Sequence, residues 1–216
     1  MRIFLLFAGL AAACGLAAAQ SGAVQPAAVQ TPAQDRLKAY QADPAAAKAA
    51  IEAGKKAAFF CVNCHGDEGV SKIPEVPNLG GQNPVFLLEQ IRKFGAGERK
   101  DPFMQGLIKV LKDDERAQIA LMYGSVQIKP GQADPALVPR GKELYGKLCA
   151  RCHGEQARGD AAIARLAGQQ IPYLVTSITR YRDASGVRNN QLMSIATASL
   201  KNDDIKAVAN YLTQLP

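Results

Sequence analysis

The chain writes one short pattern twice. Cys61-Val62-Asn63-Cys64-His65 recurs as Cys149-Ala150-Arg151-Cys152-His153 at an offset of 88. The surroundings repeat with it. Leu79, Gly81, Gln82 and Phe86 map to Leu166, Gly168, Gln169 and Tyr173 at an offset of 87, and Arg99, Met104, Leu111 and Lys112 map to Arg188, Met193, Leu200 and Lys201 at 89. Two small length changes therefore align the halves, and duplication of one domain is the simplest origin. A chain of 216 residues has room for two such units.

Helix is the only periodic structure that the sequence supports. Pro44 to Phe60 is rich in Ala, Lys, Ile and Glu and leads into the first motif. Asn83-Pro84 supplies a cap and a first-turn proline for a helix to about Lys93, closed by Gly95 and Gly97. Asp113 to Tyr123 forms a third, with acidic residues in its first turn. In the second half the matching segments are Lys142 to Leu148, Pro172 to Arg182 and Asn202 to Leu212. No alternating strand pattern is evident, so the expected class is all-α.

The ends and joint are also readable. Met1-Arg2, the apolar run Ile3 to Ala13 and the small residues to Ala19 have the layout of a secretory signal at 1–19. The apolar run is much shorter than the roughly 20 residues that span a bilayer. Cys14 follows Ala11-Ala12-Ala13 as a lipid-bearing cysteine does, although Leu10 stands one place too early for that signature. Residues 20–43 read as a flexible arm, 44–124 as the first domain, 125–139 as a linker carrying Pro130, Gly131, Pro135 and Pro139, and 140–216 as the second domain.

With the signal removed, every remaining cysteine lies inside a CxxCH motif. The two thiols of such a motif can add to the two vinyl groups of one haem, and the adjacent histidine then sits beneath the iron. Two covalently attached haem c groups are therefore expected, on Cys61 and Cys64 and on Cys149 and Cys152. A four-thiolate zinc site and a thioredoxin-like thiol pair also use CxxC, but the histidine after each motif and the absence of a strand pattern count against both.

The sequence contains only two histidines, His65 and His153, and both are used as lower ligands. The upper position must then be filled by methionine, lysine or water, or be left empty. Met104 lies 39 residues after His65 and Met193 lies 40 after His153, both in segments read as lying between helices. Thioether sulfur suits a low-spin haem and raises its potential, so these two are the expected upper ligands. Met122 falls inside a helix, aligns with Tyr211 and reads as core filler.

The segments CVNCHG, VPNLGGQ, FLLEQI and Arg99 to Met104, with CARCHG, ARLAGQ, YLVTSI and Arg188 to Met193, resemble the cytochrome c4 family, two class I cytochrome c domains in tandem. The resemblance covers about three quarters of the chain and implies that Pro77 offers its carbonyl to His65, with Ala164 in that place for His153. It also implies that Leu79 and Leu166 pack on the haems. Arg99 and Arg188 are candidates for the haem propionates, with solvated surface arginines as the alternative.

An iron closed on both sides by His and Met has no vacancy for substrate, so the reading is electron transfer rather than catalysis. By resemblance the partners are a quinol-oxidising complex as donor and a haem-copper terminal oxidase as acceptor, in the periplasm. Loose membrane association through the leader or Cys14 stays open. A cytochrome subunit fixed to a dehydrogenase or reductase is the main alternative, and a dihaem peroxidase the weaker one. The formal charge of +7 falls to +6 when Arg2 leaves with the signal, and four propionates would offset most of that. Basic and aromatic residues are not interleaved, so nucleic acid is not an expected partner.

Overall fold

The computed structural model describes residues 31–216. The expected signal with Cys14, and residues 20–30 of the expected arm, lie outside the described residues. The described residues form the helices α1 (Pro32–Ala42), α2 (Pro44–Ala57), α3 (Val62–His65), α4 (Pro84–Gly95), α5 (Pro102–Lys109), α6 (Asp113–Gly124), α7 (Val138–Leu148), α8 (Ala150–His153), α9 (Ile171–Arg182), α10 (Gln191–Thr197) and α11 (Asn202–Thr213). The only extended pairing among them is an isolated antiparallel bridge between Arg99 and Arg188. The all-α expectation holds.

Two helical bundles follow one another along the chain. In the first, α1, α2, α4 and α6 enclose a core that includes Leu37, Leu88, Ile119 and Tyr123. In the second, α7, α9 and α11 enclose Leu144, Leu174, Ile205 and Leu212. Met122 is buried in the first core and Tyr211 in the second, as filler residues should be. The outer helices of each bundle cross at a glycine. A Cβ on Gly54 of α2 would stand 2.9 Å from the Cβ of Met122 on α6, and one on Gly141 of α7 would stand 2.8 Å from the Cβ of Tyr211 on α11. The two glycines are 87 positions apart and so belong to the repeat.

The expected flexible arm is ordered from Thr31 onward. Thr31 accepts the Gln34 N–H at 3.3 Å while the Gln34 side chain accepts the Thr31 N–H at 2.8 Å, a reciprocal cap that starts α1. Leu37 is then 1% exposed against α6, and the Tyr40 hydroxyl donates to Asp114 at 2.9 Å. Alanine, glutamine and proline read as a linker when weighed by composition, but a capped turn with one leucine on its inner face suffices to dock a helix. The first domain therefore begins with α1 rather than at Pro44.

The linker is shorter than expected. Val138 and Pro139 already belong to α7, where proline in the first turn costs no intrahelical bond. The remainder is pinned to α11 by the Gly131 N–H on the Thr213 carbonyl at 2.7 Å and the Asp134 N–H on the Asn210 side chain at 2.8 Å.

Candidate functional site

Each CxxCH motif is a single helical turn. The His65 N–H bonds the Cys61 carbonyl at 2.8 Å and the His153 N–H bonds the Cys149 carbonyl at 3.0 Å. Three-residue spacing on a helical turn puts both thiols of a motif on one side, as attachment to a single flat ring demands. All four cysteines are free. Burial raises the Cys61 thiol, and it pushes the Cys149 thiol up to about 11. Neutral thiols of this kind are not the low-pKa thiolates of a redox pair. Among the described residues no three His, Cys, Asp or Glu side chains gather as a metal cluster.

Both histidines are 7% exposed. His65 Nδ1 lies 2.9 Å from the Pro77 carbonyl, and His153 Nδ1 lies 2.9 Å from the Ala164 carbonyl. A carbonyl can only accept, so Nδ1 carries the proton and Nε2 keeps its lone pair. Burial, outweighing these carbonyls, lowers both imidazole pKa values and keeps the rings neutral. Replacing proline by alanine in the second half leaves the carbonyl at the same distance.

The methionines are not in loops. Met104 is the third residue of α5 and Met193 the third of α10, and each has its N–H capped by the side chain three places earlier, Asp101 at 2.9 Å and Asn190 at 3.0 Å. Asp101-Pro102 and Asn190 are readable helix starts, but these helices are too short to show a periodic pattern. Leu79 and Leu166 are half-buried against the two cores.

The halves meet at a seam whose residue pairings the sequence did not show. Arg99 and Arg188 pair backbone to backbone there, and the Lys100 N–H bonds the Val187 carbonyl at 2.9 Å. Both guanidinium groups donate to the Tyr173 hydroxyl, Arg99 at 3.2 Å and Arg188 at 2.5 Å. Arg99 also lies 4.4 Å over the Phe94 ring. Neither arginine has a carboxylate partner among the described residues. Burial brings the Arg99 pKa down to about 10. For Tyr173, burial is outweighed by Arg188 and Arg99, and the phenol falls to about 8. The arginines are thus not isolated surface groups but a half-buried cationic cluster suited to carboxylates. Two neutral imidazoles with free Nε2, paired thiols and an uncompensated cationic seam fit two haem c groups. Tyr173 was missed because its repeat partner is Phe86, which has no hydroxyl.

Known proteins agree with this geometry. The Cytochrome c family matches residues 138–216. Cytochrome c4 from Pseudomonas aeruginosa is 35% identical over 177 residues, spanning 76% of this chain and 87% of that protein. The chain belongs to the cytochrome c4 family. Among solved structures, reduced recombinant cytochrome c4 from Pseudomonas stutzeri superposes with a TM-score of 0.71 at 32% identity, covering 76% of this chain and 98% of that one. A protein from Thiomonas intermedia named as a thiosulfate dehydrogenase electron acceptor is 30% identical over 79% of this chain and 85% of its own length. As a cytochrome c4, this protein is a dihaem electron carrier with two covalently attached haem c groups.

Proposed function

We propose that this cytochrome c4 is an exported carrier that passes single electrons between respiratory complexes in the periplasm, from a quinol-oxidising complex toward a haem-copper terminal oxidase. Cys61 and Cys64 would hold one haem and Cys149 and Cys152 the other, with His65 and Met104, and His153 and Met193, as the residues that would bind the two irons. The observation that carries this reading is the pair of buried imidazoles, each fixed through Nδ1 at 2.9 Å with Nε2 left to bind iron. Each haem supplies an iron that gains or loses one electron with little change in its surroundings.

The chain's own residues do the rest. The carbonyls of Pro77 and Ala164 orient the imidazoles, and the sulfurs of Met104 and Met193 close the positions where a substrate would enter. Arg99, Arg188 and Tyr173 offer donors to propionates at the seam, which supports exchange between the two haems. Phe59 and Phe60 stand exposed and edge to face at 5.1 Å, directly before Cys61, and supply a small apolar patch for brief docking. Among the described residues no helix is long and apolar enough to cross a membrane.

A second reading, service to a dehydrogenase, is supported by the Thiomonas relative. The test is to add native membranes to the reduced protein and, separately, a purified dehydrogenase of the thiosulfate-oxidising class with its substrate to the oxidised protein. Rapid reoxidation by membranes, inhibited by cyanide, supports the respiratory carrier. Reduction by the dehydrogenase at fixed stoichiometry, without turnover on membranes, supports the second reading. Fast peroxide turnover contradicts both.

A further inference from the structure

We propose that Gln82 and Gln169 are crossed positioning residues: each glutamine reaches over the seam and tunes the iron-binding histidine of the domain to which it does not belong. The proposal rests on the haem-ligand reading above.

The Pro77 carbonyl and the Asn78 N–H are the two ends of one peptide group. The carbonyl accepts from His65 Nδ1 at 2.9 Å, and the N–H donates to Gln169 Oε1 at 2.8 Å. The other half repeats the arrangement with the roles exchanged. The Ala164 carbonyl accepts from His153 Nδ1 at 2.9 Å, and the Arg165 N–H of the same peptide donates to Gln82 Oε1 at 2.8 Å. A peptide that donates through its N–H becomes a better acceptor at its carbonyl. The stronger bond from Nδ1 then leaves more electron density on Nε2, which favours the oxidised iron.

The amides cannot be turned around. Each Nε2 donates to the carbonyl of the residue whose N–H its own oxygen accepts, Gln82 to Arg165 at 3.0 Å and Gln169 to Asn78 at 2.9 Å. Each Oε1 also accepts the next N–H in its own chain, Asn83 at 3.1 Å and Gln170 at 3.0 Å. Both side chains are buried. The preceding glycines, Gly81 and Gly168, have φ of 69° and 68° and tie back to their own cores through the Tyr123 and Leu212 carbonyls at 3.0 Å. Left-handed backbone at these positions aims the glutamines across the seam.

Gln170 provides a control. Its Nε2 donates to the carbonyls of Ser71, Ile73 and Val76 across the same seam and touches neither relay peptide.

The experiment compares the holoprotein with Gln82→Met, Gln169→Met and Gln170→Ala variants, using redox titration followed through the haem methyl NMR signals assigned to each half. Methionine keeps the shape of glutamine and removes the acceptor. Gln169→Met should raise the potential of the haem at His65 and leave the other in place, and Gln82→Met should do the reverse. The expected change is about 1.3- to 5-fold in the reduction equilibrium, taking the relay as ~10–30% of a charge-assisted hydrogen bond. Gln170→Ala should move neither haem. Shifts in a glutamine's own domain, equal shifts in both haems, or no shift overturn the proposal. Absence of His–Met spectra from the unaltered protein removes the ligand reading beneath it, an outcome the same spectra show separately.

Discussion

Arg99 and Arg188 face each other in an antiparallel bridge at the seam and both donate to the single hydroxyl of Tyr173. Two like charges are held together here with no carboxylate beside them among the described residues, and on the function proposed above haem propionates would supply the anions. Arg99→Gln and Arg188→Gln should each lower the mean reduction potential, since a nearby cation favours the electron-rich state. The change expected is on the order of 1 kcal/mol, or ~40 mV, for one charge removed from a partly screened site. Potentiometric titration of each variant checks the sign and size.

Helix α1 should behave as part of the first domain. Leu37 is 1% exposed, and Leu37→Ala should cost about 2–4 kcal/mol by loss of burial and the cavity left behind. Urea unfolding followed at the first haem reads this. A mere tether would show almost no change.

The glycine crossings should tolerate no methyl group. Gly54→Ala and Gly141→Ala each force backbone against backbone between the outer helices of a bundle, and overpacking of this kind costs about 1–3 kcal/mol. Calorimetry should show each substitution lowering the melting temperature of its own half.

Acid should weaken the fold through His65 and His153. Burial lowers both imidazole pKa values, so the unfolded chain takes up protons first as pH falls through the ordinary imidazole range near ~6.5. Stability is therefore full above that range and declines below it toward the folded values, and iron bound at Nε2, as proposed above, would extend the decline to lower pH. Chemical unfolding at pH 7.5, 6 and 5 should show this order. Greater stability at pH 5 than at 7.5 would contradict it.

Much of the site was legible because it is written as local chemistry. CxxCH specifies its own helical turn, and the repeat assigned Met122 to the core, where it is buried, without any knowledge of packing. Apart from α1, the helices of both bundles followed from caps and apolar spacing, as at Asn83-Pro84. What escaped depends on contacts between residues far apart in sequence. Gln82 and Gln169 were visible as a repeated element, but nothing local says that an amide will clamp a peptide 83 or 91 positions away. Tyr173 gained its role only when the halves were packed together. Helix α1 was obscured because composition outweighed a single buried leucine, and the Met104 and Met193 helices because seven or eight residues are too few to show periodicity.

Optical and magnetic-resonance spectra of the oxidised holoprotein, with Met104→Ala and Met193→Ala beside it, probe the upper ligands. The unaltered protein should hold two covalent haems, both low-spin with a sulfur-to-iron band near the red end of the spectrum. Each substitution should abolish the band from one haem and leave the other intact. A single bound haem, or a band that survives either substitution undiminished, contradicts the assignment of both irons as closed electron-transfer centres.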